Sequence, residues 1–462
     1  MFSVSLWNYS LSINPNVTES TFGLIVGANS FAQAIAAPIF GYWSNRIENV
    51  KLPLFIGLLF MVSGNILYSI LPLFDTSAYS WLIVARLLTG IGAGNSALIR
   101  AYASQSSSSE DRSKAIAWTT AGDTLGTTTG PLIQLFFLPL GKEGLELFGF
   151  RINMYTSPAL FACFIDLMGI VIVSRFFVED YSMLRYEQKG LDSNMMHPCW
   201  TAVGVCVVTR YSQALLLSTF DGVGSSFASM MFGFTEEETV RNNNFSISVQ
   251  AAIGLLVYFS FIYFNLGRRI AMRTSVLVAL LCFILYHCLT FAYPFYDLHV
   301  KLASPDVKGR QFGVCESSRF TWCTSLTTYH PLVFYISYLT FVGGFFPIIN
   351  IALTTLFSKV IGPRAQGTLQ GLFQVAGCIS KMSSPTILGS TYTVGGPRLV
   401  WILQITQLIS VLFLWIIFRR KMIGMQERVD EQLEKECKDC EEKEDKTKLE
   451  ILIWATGERC KA

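Results

Sequence analysis

Long apolar runs, interrupted by short polar breaks, organise almost the whole chain. Eleven of them approach the roughly 20 residues a helix needs to cross a bilayer. They lie near residues 21–43, 52–74, 79–104, 113–139, 154–178, 198–232, 242–266, 273–296, 331–357, 366–393 and 397–418. Ahead of them, Met1 to Ile13 is apolar but too short to span. It lacks the basic start and small-residue cleavage site of a signal peptide. It reads as the back half of a truncated first helix, which brings the expected number of helices to twelve. The polar break from Tyr181 to Pro198 divides them six and six. The expected fold class is thus an all-α polytopic membrane protein. Its parts are an N-terminal bundle over 1–178, a cytoplasmic central loop over 179–197, a C-terminal six-helix bundle over 198–418 with a lumenal loop at 297–330, and a charged cytoplasmic tail over 419–462.

Composition narrows the class. The chain has 462 residues, 52% of them hydrophobic, with 35 basic and 32 acidic side chains. Of those charges, 23 fall from Arg419 onward, which leaves 44 for the first 418 residues. That is too few to give a soluble protein of this size a water-facing surface. The net charge of +3 gives no basis for nucleic-acid binding. No Gly-rich phosphate loop, nucleophile elbow or His/Cys metal spacing is present, so an enzyme, an ATP-driven pump, a cofactor and a metal are not expected. The lone pair Cys437 and Cys440 cannot make a four-ligand zinc site by itself.

Orientation follows from charge and sequons. If the stub ends outside, Arg46/Lys51, Arg112/Lys114, Arg185/Lys189 and Arg268/Arg269/Arg273 are cytoplasmic, as the positive-inside rule requires. The glycosylation candidates Asn8, Asn16 and Asn244 then fall on the lumenal side. So does the loop holding Cys315 and Cys323, where an oxidised pair would survive.

Three motifs stand on the expected helices. Gly41-Tyr-Trp-Ser-Asn45-Arg46 opens the polar loop between the second and third helices. Arg86 opens RLLTGIGAG, with Gly90, Gly92 and Gly94, on the fourth. Gly126-Thr-Thr-Thr-Gly130-Pro131 lies on the fifth. Closely spaced small residues let neighbouring helices approach backbone to backbone, and a Gly-Pro pair gives a bend on which a pathway can open. In this order the motifs resemble those of the major facilitator superfamily. The stretches APIFGYWSN, VARLLTGIGAGNSALIRAYAS, RINMYTSP, CESSRFTWC and SKVIGPRAQGTLQGLF, with Phe220-Asp221, are similar to a narrower lysosomal branch, the family of major facilitator superfamily domain-containing protein 8 (ceroid lipofuscinosis type 7). The resemblance implies the major facilitator fold, a late-endosomal or lysosomal membrane and a small solute. Asn45 departs from the Asp usual in that loop, which removes one partner of the family's gating charge pair.

Charges at membrane depth are costly, and they mark function by default. The candidates for transport and coupling are Arg86, Asp123, Arg210, Asp221 and Lys381. Arg86 has a second reading, as a tether to the first helix. Asp221 has one as a self-neutralising pair with Arg210. Arg100 is expected to snorkel at the cytoplasmic end. Asp166 has only apolar sequence neighbours, and His287 has the alternatives of titrating or packing. Gln33, Asn65, Asn350, Gln370 and Gln374 must face the bundle interior. Tyr181-Ser-Met-Leu184 fits a sorting-adaptor signal.

The expected function is secondary transport of a small anionic solute by alternating access, with protons coupled through Asp221 or Asp123. A chloride-conducting, channel-like protein on the same fold is one alternative. A non-transporting membrane scaffold, disabled by the truncated first helix, is another. Lysosomal or late-endosomal membrane is the expected location, with the plasma membrane as the alternative.

Overall fold

The computed structural model describes residues 6, 9–10, 19–74, 78–141, 144–147, 150–189, 197–303, 313–318 and 320–431. Helices fill most of it. In chain order they are α1 (Glu19–Ile47), α2 (Lys51–Ser69), α3 (Ala78–Ala93), α4 (Asn95–Gln105), α5 (Arg112–Phe136), α6 (Ser157–Arg175), α7 (Ser182–Lys189), α8 (Trp200–Phe232) and α9 (Glu236–Tyr263). They continue with α10 (Met272–Leu289), α11 (Pro331–Ser337), α12 (Gly344–Ile361) and α13 (Gly367–Ile417). A π-helical segment, Tyr338–Gly343, joins α11 to α12 into one span.

Local chemistry explains several boundaries. Prolines stand in the first turns of α6 and α11, where a missing N–H costs nothing. Thr235 and Glu238 form a reciprocal capping box at the start of α9. Gly233, at φ +67°, ends α8 in the left-handed conformation that glycine adopts most easily.

Nine helices among the described residues are long and apolar enough to cross a membrane. The eleven expected spans are recovered with two physical corrections. α5 is long enough but carries Thr119, Thr120, Asp123, Thr124 and Thr127 to Thr129, so its polar face lowers its hydropathy. α13 runs for 51 residues because two spans join across a kink at Gly396, whose φ of +65° is not helical. A side chain at Gly396 would also run into the Trp322 ring. The all-α polytopic class holds, with one small antiparallel hairpin, Leu145–Leu147 with Phe150–Ile152, added between α5 and α6.

The first bundle is built where α2 packs on α3 and α6, and α1 on α3. The second is built where α8 packs on α13 and α10 on α12. The bundles meet mainly where α1 lies along α13 and α5 along α9, with α4 also against α13 and α5 against α12. Beyond α10, a disulfide links Cys315 to Cys323. Trp322, next to it, donates its indole N–H to the carbonyl of Thr393 at 3.3 Å, which fixes this loop onto the turn at Gly396. Asn8, Asn16, Cys437 and Cys440 lie outside the described residues. Asn244 is exposed on α9.

Candidate transport site

Charged and polar side chains from both bundles meet midway along the helices. Arg100 on α4 is only 8% exposed. One of its terminal nitrogens lies 3.7 Å from the Asp123 carboxylate on α5, and the other donates to the amide oxygen of Gln374 on α13. The sequence expectation that Arg100 snorkels is thus overturned. A guanidinium this far from water must find acceptors inside the protein, and it finds them on two other helices. Asp123 keeps 59% of its side chain exposed, so the pair forms part of the wall of an open cleft.

Arg210 and Lys381 add two more positive charges facing Asp123. Arg210 donates to Gln213 at 3.1 Å and to Asn350 at 3.0 Å, with its guanidinium 5.5 Å from the Phe373 ring centre. Tyr258 on α9 adjoins Asn350 and Thr124. Arg210 thus has neutral partners on α8 and α12; the Asp221 side chain, its expected partner, lies outside the described residues. Three cations therefore surround one carboxylate among the described side chains. An anion entering this cleft meets surplus positive charge and a ready set of N–H donors.

Arg86 sits elsewhere. It precedes Arg100 by fourteen residues, about 21 Å along a helix axis. Its guanidinium lies 6.0 Å from the ring centre of Tyr68. Tyr9 stacks on Tyr155 with ring centres 5.3 Å apart, lies tilted against Tyr68 at 4.9 Å, and donates to the Tyr68 carbonyl. This tyrosine cluster holds the buried Leu6, Tyr9 and Ser10 against the bundle. Other buried groups also find partners away from the cleft. Asp166 accepts from Asn65 at 2.7 Å. His287 is fully buried beside Tyr286 and Trp401.

The glycine motifs divide by use. A side chain at Gly90 would strike the carbonyl of Asn29 on α1, and one at Gly92 would strike Met61 and Gly57 on α2. One at Gly94 would crowd Ala37 and the Ile91 carbonyl. A side chain at Gly126 would meet nothing within 4 Å. Gly130 is buried, and the Pro131 side chain is outside the described set.

At the end carrying the basic loops, the two bundles are shut together. Gly41 meets the backbone of Gly367, and Gly371 meets Pro38 and Ala37. Asn45 accepts the N–H of Gly367 at 3.0 Å and donates to Thr368 at 2.9 Å and to the Ala365 carbonyl at 3.4 Å. Gly367 is the first residue of α13, so Asn45 satisfies one of its otherwise orphaned N–H groups. This gate contact is uncharged. Arg46 beside it is exposed.

Charged contacts lie further out. Arg268 bonds Asp111 at 3.0 Å and Glu110 at 3.3 Å, and Arg112 bonds Glu187 of α7 at 2.8 Å. Gln188 of α7 donates to the Pro363 carbonyl at 3.1 Å. Ahead of α7, the Asp180 carboxylate accepts the Ser182 N–H, which holds its pKa below the usual carboxylate value. Tyr181 is packed against Tyr102 and donates to Glu179, while Ser182 to Leu184 are helical, so this tetrapeptide is not a free extended segment.

With this geometry in view, the comparisons agree on one class. The model of the Major Facilitator Superfamily matches residues 1–303, and the chain belongs to that superfamily of membrane transporters. It is similar to major facilitator superfamily domain-containing protein 8 of Xenopus laevis, at 23% identity over 90% of this chain and 87% of the relative. It is also 23% identical to multidrug resistance protein 2 of Bacillus subtilis (strain 168), over 74% of this chain and 88% of that protein. Among solved structures, the human organic anion transporter MFSD10 has a TM-score of 0.54 at 15% identity, covering 89% of each chain. The xylose transporter XylE from E. coli has a TM-score of 0.60 at 13% identity, covering 90% of this chain and 93% of its own. At these identities the solved structures establish the fold alone. As in its superfamily, the chain is a multi-pass transporter rather than an enzyme.

The gate makes a direct prediction. Asn45→Ala removes the acceptor for the Gly367 N–H, at a cost of about 1 kcal/mol. A cysteine at Ser44, which is 4% exposed in the shut gate, should then react with a bulky maleimide about fivefold faster. An unchanged rate would show that Asn45 does not hold the gate.

Proposed function

We propose that the chain is a secondary transporter of a small anionic solute, working by alternating access between the 1–178 and 198–418 bundles. The observation that carries the reading is the cluster of Arg100, Arg210 and Lys381 around Asp123, on an open cleft between the two bundles. The shut end opposite that cleft fits a carrier better than a continuous pore. That the fold neighbour MFSD10 is named an organic anion transporter agrees with it. Asp123 is the coupling carboxylate in this reading. While charged it occupies the cations, and on protonation it releases them to the substrate. Asp221 keeps the same role by resemblance only.

The decisive test is flux into proteoliposomes holding the purified full chain, with chloride, phosphate, glutamate and uncharged xylose as probes. At least one anion should be taken up faster under an imposed proton gradient, and xylose should not. Asp123→Asn should remove the dependence on pH, and Arg100→Ala should lower anion uptake about tenfold or more, the loss expected for a desolvated charge-assisted contact. Anion flux that follows voltage alone would favour the chloride-conducting alternative. No flux at all would favour the scaffold.

The basic loops at the shut end are cytoplasmic in this reading, with the disulfide loop and Asn244 lumenal. The membrane is that of late endosomes or lysosomes, supported by the sequence resemblance described above. An impermeant biotin reagent on intact cells should therefore label only a small fraction of the protein. Labelling of most of it would place the chain in the plasma membrane.

A further inference from the structure

We propose that Gln374 is a positioning residue that carries the charge state of Asp123 to the seam between α1 and α13, and so to the gate. The inference rests on the reading of Asp123 as the titrating carboxylate.

Its basis is a continuous chain of contacts. Asp123 and Gln374 share one guanidinium, that of Arg100. The amide nitrogen of Gln374 lies 3.9 Å from the sulfur of Cys378. The Cys378 thiol donates to the amide oxygen of Gln33 at 3.4 Å, and Gln33 donates to the carbonyl of Ala93 at 3.1 Å. The relay thus passes from α5 through α4 to α13, crosses to α1 and ends at α3.

Its members also lie on the seam itself. Gly367, Gly371, Gln374 and Cys378 follow a spacing of four, three and four, which is one stripe of a helix. Facing them on α1 are Asn45, Gly41, Pro38 and Gln33. From Gly367 to Cys378 the stripe covers about 16 Å of helix. The polar site and the gate are therefore two ends of one close-packed helix pair. A helix packed this tightly shifts as a unit rather than bending to absorb a local change.

Neighbouring groups on this face have unused bonding capacity. Gln370, one turn before Gln374, is fully buried, and neither its oxygen nor its nitrogen has a hydrogen-bond partner. The buried hydroxyl of Ser380 has none either. Each such group is unfavourable as it stands, so α13 has bonds to gain by moving. Among the described side chains, the charged and titratable groups facing Asp123 are Arg100 from α4, Arg210 from α8, Tyr258 from α9 and Lys381 from α13. When Asp123 is neutral, Arg100 is free to turn toward an anion, and Gln374 loses the donor that fixes α13 in the shut register.

The test uses the full chain in detergent, its native cysteines retained, with Ser44→Cys as the gate reporter and a bulky maleimide as the probe. Between acidic and neutral pH, the reporter's labelling rate, divided by that of a small free thiol at the same pH to remove the effect of thiol ionisation, should change about fivefold or more, the range of an ordinary coupling energy. Gln374→Met, which keeps the volume but loses both hydrogen bonds, should flatten that change. Gln374→Glu, which keeps an acceptor for Arg100, should retain it. Gln33→Met, one link further on, should also flatten it and stands in if Gln374→Met is not monodisperse. Asp123→Asn should flatten it too. Loss in Asp123→Asn with full retention in Gln374→Met and Gln33→Met would overturn the inference alone. Full retention in Asp123→Asn, or no pH change in the parent, would overturn the reading of Asp123 and the inference with it.

Discussion

The constraint on which the rest depends is the burial of a guanidinium at membrane depth. Arg100 is 8% exposed, so most of its guanidinium must exchange water for acceptors that the protein supplies. Its acceptors come from Asp123 on α5 and Gln374 on α13. Satisfying one cation therefore ties together three helices from two bundles. Arg210 meets the same requirement with neutral partners, Gln213 and Asn350. Among the described side chains the cluster then holds more positive than negative charge, which suits the approach of an anion.

The two ends of the molecule are built differently around that site. At the shut end the helices meet backbone to backbone through Gly41, Gly367 and Gly371, and Asn45 caps α13 without a charge. A neutral hydrogen-bonded cap is weaker than a desolvated ion pair and less sensitive to salt. The ion pairs Arg268–Asp111 and Arg268–Glu110 lie further out, where solvent screens them. A gate assembled from close packing and weak polar contacts can be released by a modest change at the site. A side chain at Gly126 would meet nothing within 4 Å, which leaves room beside α5.

Much of the fold was legible because apolar length is a strong signal and the bilayer sets its scale. The site was legible only in part. Arg86 and Arg100 are both arginines inside an apolar span, and sequence alone weighted Arg86. The difference lies in their partners. Arg100 is completed by Gln374, 274 positions away, and nothing in local spacing reveals such a pairing. Arg86 lies beside Tyr68 of α2, which is part of the tyrosine cluster that packs the first described residues, away from the Arg100 site. Asp123 was visible as a carboxylate beside a glycine motif, but its cationic neighbours were not. Gln374 looked like one polar residue among five, because its role arises where α1, α4 and α13 meet. The break at Gly396 was visible as the gap between the apolar runs at 366–393 and 397–418, whereas the helical continuity around it is a tertiary effect.

The measurement that tests the central claim most directly is the thermal stability of the purified chain titrated with anions and with neutral sugars. A ligand that binds the folded state raises the melting temperature in a saturable way. If the cleft around Arg100, Arg210 and Lys381 is an anion site, at least one small anion will produce such a shift at constant ionic strength. Arg100→Ala will abolish it, and xylose will have no effect. A shift with a neutral sugar but not with anions, or an anion shift that survives Arg100→Ala unchanged, would contradict the account.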